Sequence, residues 1–157
     1  MKITIILNGK TEDSYLVNGI ALYESRLKHY VSFETVMIPA LKNTQALSVE
    51  QQKQKEGELI LKNVQNSDKL ILLDEKGKEY SSVDFAGFIQ QQMNSGIKNI
   101  VFVVGGPYGF SEQIYKRANT RISLSKMTFS HQMVRLFFVE QLYRAMTILK
   151  NEPYHHQ

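Results

Sequence analysis

The residues best suited to chemistry gather late in the chain. Gly105-Gly106-Pro107-Tyr108-Gly109 closes an apolar run, Ser123-Leu124-Ser125-Lys126-Met127-Thr128-Phe129 follows, and Glu152-Pro153-Tyr154-His155-His156 forms the tail. Glycines at the end of a buried strand let backbone approach a ligand closely, and they equally serve a tight turn with no ligand. Leu124–Phe129 mixes hydroxyls with apolar side chains, a composition that can grip a flat base through main-chain amides while covering its faces. From composition alone the plainer reading is favoured, in which Thr128 or Ser130 caps the next helix. Together the two segments could hold a nucleotide-like ligand, with the tail working beside it. The glycines match neither the G-x-G-x-x-G fingerprint nor a P-loop, since no lysine-serine pair follows them, which argues against a nucleoside triphosphate. Leu73-Asp74 ends the preceding strand and is expected beside Gly105 at the same sheet edge, although a solvated carboxylate explains Asp74 as simply.

Other chemistries find little support. His29 reads as a surface residue and His131 as the opening of the last helix, while His155 and His156 lack cysteine or carboxylate at ligand spacing, so no metal site is expected. No Ser-His-Asp or paired-carboxylate arrangement follows from the spacing. The chain has no cysteine, which removes disulfides and thiol redox chemistry and favours a cytoplasmic setting.

These residues need a frame. Apolar runs predict strands over 2–7, 31–39, 69–74 and 99–106, with a short extended piece at 121–125. Helical spacing predicts helices over 14–30, 48–65, 82–94, 111–119 and 130–150, with Ser82 as a cap and Gly96 as a stop. Residues 40–51 read as a mobile loop and Glu75–Tyr80 as a turn. Strands such as Ile100–Val104, which lack a polar face, indicate a mainly parallel sheet covered by helices on both faces: one α/β domain over 1–157. The last helix is apolar nearly all round, more than one sheet can cover, which predicts a homodimer through it. The apolar stretch Met133–Leu149 is interrupted by Arg135, Glu140 and Arg144, which opposes a membrane span, and residues 1–7 lack the features of a secretion signal.

With 157 residues, 43% hydrophobic and 22% charged, the composition is that of an ordinary globular protein. The net charge of +4 is uneven: residues 1–75 hold nine Lys/Arg and ten Asp/Glu, residues 76–157 ten and five. The later half could attract phosphate, or merely be well solvated.

Leu72-Leu73-Asp74, Val103 to Gly109, Ser123 to Phe129, Leu142-Tyr143-Arg144-Ala145 and Asn151 to His155, with Lys2–Gly9, Ile38-Pro39 and Lys55-Glu56-Gly57, resemble in order and spacing the bacterial RlmH (YbeA-like) family of SPOUT-class methyltransferases. The resemblance covers essentially the whole chain. It implies an S-adenosylmethionine-dependent enzyme that methylates N3 of a pseudouridine in large-subunit (23S) ribosomal RNA, on assembled ribosomes, as a cytoplasmic homodimer. It also implies a deep trefoil knot over roughly 70–150, against the general rule that chains avoid knots. Carried onto this chain, the methyl-donor site falls on Leu73, Gly105, Gly106, Leu124, Ser125, Lys126, Met127, Thr128 and Phe129. Tyr154 and His155 would shape the target pocket from the partner subunit, with Arg144 and Arg135 as phosphate or tail contacts. Ser130 stands where the family commonly has proline, and His156 where it commonly has a permanently basic residue, which makes a tail contact to phosphate pH-dependent or absent. Other readings are a SPOUT methyltransferase of another RNA such as transfer RNA, a non-catalytic RNA- or ribosome-binding protein of the same fold, and a flavodoxin-like or nucleotide-binding module.

Overall fold

A computed structural model describes residues 1–156; Gln157, the last residue of the expected domain, lies outside the described residues. The chain runs β1 (Lys2–Asn8), α1 (Ser14–Leu27), β2 (Ser32–Ile38), α2 (Val49–Leu61), β3 (Lys69–Glu79), α3 (Ser82–Asn94), β4 (Asn99–Val104), α4 (Glu112–Arg117), β5 (Thr120–Ser123) and α5 (Met133–Leu149). The strands form one parallel sheet in the order β2-β1-β4-β3-β5. This is the expected α/β class, and the alternation of side chains along each strand builds a core on either face. Ile3, Ile5, Ile71, Ile100 and Phe102 pack under α1, α3 and α5. Ile6, Leu70, Leu72, Val101 and Val103 pack under α2 and α4. Phe102 and Phe138 are fully buried with ring centroids 4.7 Å apart, each contributing roughly 1.5–3 kcal/mol by leaving water.

Local signals set the helix ends. Ser48 and Gln51 form a reciprocal capping box at the start of α2. Ser81, one residue before the expected cap, accepts from the Asp84 amide at 3.1 Å and opens α3, which stops at Gly96 with φ of 76°. Residues 40–51, expected as a loop, hold a 3₁₀ turn at Thr44–Ala46, and Gln52 reaches back to the carbonyl of Leu47 at 3.4 Å.

One expectation is corrected and the ground for another is narrowed. Glu75–Tyr80 is not a turn: β3 continues to Glu79, pairing Leu73 with Ile122 and then, after an excursion of residues 74–77, pairing Lys78 with the same Ile122. Gly77 makes this possible, because a Cβ there would lie 2.6 Å from the Ile122 nitrogen. Second, α5 is covered largely within its own subunit: the sheet takes Phe138, Val139 and Leu142, and α1 and α3 pack along its flanks. Of its apolar side chains only Phe137 is exposed, so the surplus that predicted a dimer is smaller than the composition suggested.

Candidate active site

Three parallel strands lie side by side where the site forms. Leu73 is in register with Val104, the end of β4, and with Ile122 on β5, so Gly105, the start of the β3 excursion at Asp74, and Ser123 lie at adjacent points. This is the carboxyl edge where open α/β sheets bind ligands. A cavity of about 740 Å³ opens there, lined by these strand positions, by Gly105–Phe110 and by most of Leu124–His131. Its size suits a small-molecule ligand.

The glycine segment forms the first wall. The Gly109 amide donates to the Gly106 carbonyl at 3.1 Å, closing a tight turn with Gly109 at φ of 80°. A Cβ on Gly105 would stand 3.0 Å from the Phe110 ring, and one on Gly106 would stand 3.1 Å from a Glu56 oxygen. The main chain is thus pressed between side chains and leaves its other side open to the cavity. Glu56 is half-buried against this turn; burial raises its carboxyl above the usual 4.5, opposed by a hydrogen bond from Asn8.

The second wall is a loop held by its own hydroxyls. Ser123 donates to the Ser125 carbonyl at 2.8 Å, and the Ser125 hydroxyl accepts from the Met127 amide at 2.9 Å. Thr128 donates to Glu75 at 3.2 Å across the cavity mouth. Ser130 accepts from the Met133 amide at 3.1 Å, as a cap would, so it supplies some of the restraint that a proline would have given. Leu73, Gly105, Gly106, Leu124, Ser125, Met127, Thr128 and Phe129 all reach the cavity, whereas Lys126 does not: its side chain is exposed on the outside of the loop.

Lys53 of α2, Tyr115 of α4 and His131 complete the wall. Sequence reasoning missed Lys53 and Tyr115, which carry no local signal; only packing brings α2 and α4 to this edge. Tyr115 donates to Asp74 at 2.6 Å, and burial followed by that bond pushes its phenol up to about 12.

The tail forms a separate cluster. Tyr154 donates to Glu140 at 2.8 Å, Arg144 donates to the same oxygen at 2.5 Å, and the Arg144 guanidinium lies 4.7 Å from the centre of the Tyr154 ring. Tyr23 stands 3.2 Å from the Tyr154 hydroxyl. Burial, then Tyr23 and Glu140, raise the Tyr154 phenol above its ordinary range, while the Glu140 bond raises Arg144. Arg144 also donates to His155 Nδ1 at 3.3 Å, and because arginine only donates, the neutral ring must carry its proton on Nε2. The structure therefore brings Tyr154, His155 and Arg144 together, with Glu140 as the hub that sequence reasoning read merely as an interruption of an apolar helix. None of the three lines the cavity of its own subunit.

Arg135 is corrected outright. It is 2% exposed and donates to the carbonyls of Asn8 (2.7 Å) and Gly9 (2.9 Å) and to Thr11 (3.1 Å), tying α5 to the end of β1. None of these bonds goes to the tail, and burial leaves its guanidinium turned away from the surface. Among the described residues no group of acidic or histidine side chains could hold a metal ion, and no helix is long and apolar enough to cross a membrane.

Comparison with known proteins agrees with this geometry. The sequence profile described as "Predicted SPOUT methyltransferase" matches residues 1–155. Curated proteins named ribosomal RNA large subunit methyltransferase H are similar end to end, each aligned over the full length of both chains: that of Christiangramia forsetii is 62% identical, that of Parabacteroides distasonis 60% and that of Flavobacterium johnsoniae 59%. A parallel sheet with a ligand-sized cavity at its carboxyl edge, and a match that leaves out only the last two residues, place this chain in the SPOUT methyltransferase family.

Proposed function

We propose that this chain transfers a methyl group from S-adenosylmethionine to N3 of a pseudouridine in large-subunit ribosomal RNA, acting in the cytoplasm on assembled ribosomes as a homodimer. One observation carries the reading. The glycine turn, Leu73-Asp74 and the 124–129 loop, picked out separately in the sequence, converge on one cavity in a chain whose full-length relatives are named as large-subunit ribosomal RNA methyltransferases.

The cavity fits the donor. Gly105 and Gly106 admit no Cβ without pressing on Phe110 or Glu56, which is the signature of backbone kept bare for close approach. Leu73, Ile122 and Phe129 supply apolar surface to cover flat rings, and loop amides supply donors. The donor, when bound, provides an electrophilic methyl on a positively charged sulfur, whose charge disperses as the methyl departs. The chain's part is to exclude water, which favours that dispersal, and to hold the attacking nitrogen in line, where positioning alone supplies much of the rate.

Tyr154, Glu140, Arg144 and His155 are the residues for the target base. Within one subunit Tyr154, Arg144 and His155 line no part of the cavity, while Glu140 lines a smaller pocket beside it with Leu124 and Phe129, so in this reading the tail of one protomer serves the cavity of the other. Exposed Tyr15 and Leu22, which lie on one side of α1, and Phe137 on α5 support an apolar face for such a dimer. With Nδ1 occupied by Arg144, the His155 ring offers an N–H donor; it suits holding a uracil oxygen and leaves the N3 proton to water. The expected knot belongs to the same reading, and the double pairing of Ile122 with Leu73 and Lys78 supports it.

The test is direct. Purified protein is incubated with labelled S-adenosylmethionine and ribosomes from a strain lacking this gene, and the label is mapped by mass spectrometry of nuclease fragments. Label on N3 of a large-subunit pseudouridine is expected; label confined to transfer RNA, or none, overturns the proposal. Light scattering that finds a monomer at micromolar concentration removes the shared-site arrangement.

A further inference from the structure

Between Glu112 and Glu140 the sequence holds no carboxylate, yet its cations differ in how far they are already committed. Lys116 pairs with Glu112 at 2.8 Å, Arg117 donates to the carbonyls of Gln65 and Asp68 at 2.8 and 3.0 Å, and Arg135 is buried. Arg121 is exposed, with its guanidinium 5.4 Å from the centre of the Tyr115 ring. Lys76 and Lys78, also exposed, stand within and just after the excursion of β3, the Lys78 ammonium lying 4.7 Å from the centre of the Tyr80 ring. Among the described residues, Lys76, Lys78 and Arg121 take no carboxylate partner.

These three cations line a groove of about 440 Å³ with Gly77, Asn119 and Thr120. The groove runs along the outer strand of the sheet, which no other strand covers. Lys76 and Tyr115 belong to its wall and to the wall of the donor cavity, so the two spaces adjoin. Glu75 and Glu79 flank the two lysines along the chain without pairing with them, and Asp74 is engaged elsewhere, its carboxylate accepting from the Tyr115 hydroxyl at 2.6 Å and from the Lys76 amide at 2.9 Å. Two mobile point charges and one guanidinium steadied by an aromatic ring suit a run of phosphates better than a single anion.

We propose that this groove holds the sugar-phosphate backbone of the RNA strand whose base enters the cavity, an inference that rests on the ribosomal RNA reading above. The groove positions substrate and does not touch the donor. Lys76 also lines the donor cavity, so the test leaves it in place and uses Lys78 and Arg121.

Binding to assembled ribosomes is measured across a salt series for the parent protein, for the double variant Lys78→Ala with Arg121→Ala, and for Lys62→Ala with Lys98→Ala. Lys62 and Lys98 are exposed next to the amino-terminal ends of the strands, away from the cavity. The first variant is expected to bind ribosomes about tenfold more weakly at low salt, with a log–log salt slope shallower by about 1.5 for two lost phosphate contacts. S-adenosylmethionine affinity is expected to stay unchanged in it, and the second variant is expected to match the parent. A groove variant that keeps the parent's slope overturns the proposal, as does a parent protein that binds no ribosomes. If the parent binds ribosomes but methylates none, the functional reading fails while the slope still judges the groove.

Discussion

The cavity at the strand ends and the cluster around the tail are built from opposite materials. The cavity is mostly main chain: a glycine turn, a loop braced by Ser123 and Ser125, and strand ends fixed by register. The tail cluster is mostly side chain: Glu140 gathers Tyr154 and Arg144, and Arg144 gathers His155. A site of the first kind is set by shape and is sensitive to added carbon, because a side chain at Gly105 or Gly106 must displace Phe110, Asn8 or Glu56. A site of the second kind is set by hydrogen bonds between partly exposed groups, so it should weaken by degrees and respond to charge. In the proposed function the molecule thus pairs a rigid grip for the methyl donor with an adjustable one for its target.

Breaking that contrast starts with the clasp of β3 on β5 beside the cavity. Gly77→Ala forces a Cβ against the Ile122 and Arg121 backbone, at 2.6–2.7 Å, and should cost about 3 kcal/mol or more, lowering Tm by roughly 6–12 °C and weakening donor binding. A thermal melt like that of the parent would mean the clasp is soft. Next, Gly105→Val should leave the fold largely intact but press the Phe110 ring and narrow the cavity, so calorimetry should show S-adenosylmethionine binding weakened by about 100-fold, or roughly 2.7 kcal/mol. Retained affinity would show that the turn yields.

The tail should behave otherwise. Glu140→Gln removes the charge shared by Tyr154 and Arg144; with both ionic partners partly exposed, the stability cost is about 1 kcal/mol or less. Methyl transfer to ribosomes should fall by about tenfold or more while donor affinity holds. Equal loss of both would merge the two regions into one.

The smallest effect tests the border between them. Glu56 has its carboxyl raised by burial, so the folded protein binds that proton more tightly than the unfolded chain does. The resulting penalty is present above the folded-state value and is relieved as pH falls through it toward 4.5. Glu56→Gln should therefore raise Tm slightly at pH 7, and the gap from the parent should close as pH falls toward 4.5. A gap that stays constant with pH would show that the carboxylate is not disfavoured there.

Much of the frame was legible from the chain, because buried strands announce themselves. Ile100–Val104 has no polar face, and Ser111 and Gly96 mark helix ends by chemistry that acts within a few residues. What stayed hidden depends on partners distant in sequence. Residues 75–79 are charged and contain a glycine, so they look like a turn, yet they are strand because β5 lies alongside them. Arg135 looks like a free cation on a helix until the carbonyls of Asn8 and Gly9 claim it from more than a hundred residues away. The capping box of Ser48 and Gln51 is readable as S-x-x-Q, and it ends the loop at Ser48, where the predicted helix begins. At the site, the glycine turn and the 124–129 loop were found through their own composition, whereas Lys53 and Tyr115 reach the cavity only through the packing of α2 and α4.

Ile122 is held by β3 twice, once through Leu73 and again through Lys78. Such a strand cannot be peeled off one rung at a time, since freeing it from the first stretch leaves it clasped by the second. Motions that admit or release a small molecule must then belong to the roof, residues 124–131, which carries no ladder at all. Amide hydrogens at the centre of β5 should exchange with solvent only when the whole protein opens, while those of the roof exchange through brief local excursions. Ligand traffic and global unfolding would thereby run on separate clocks.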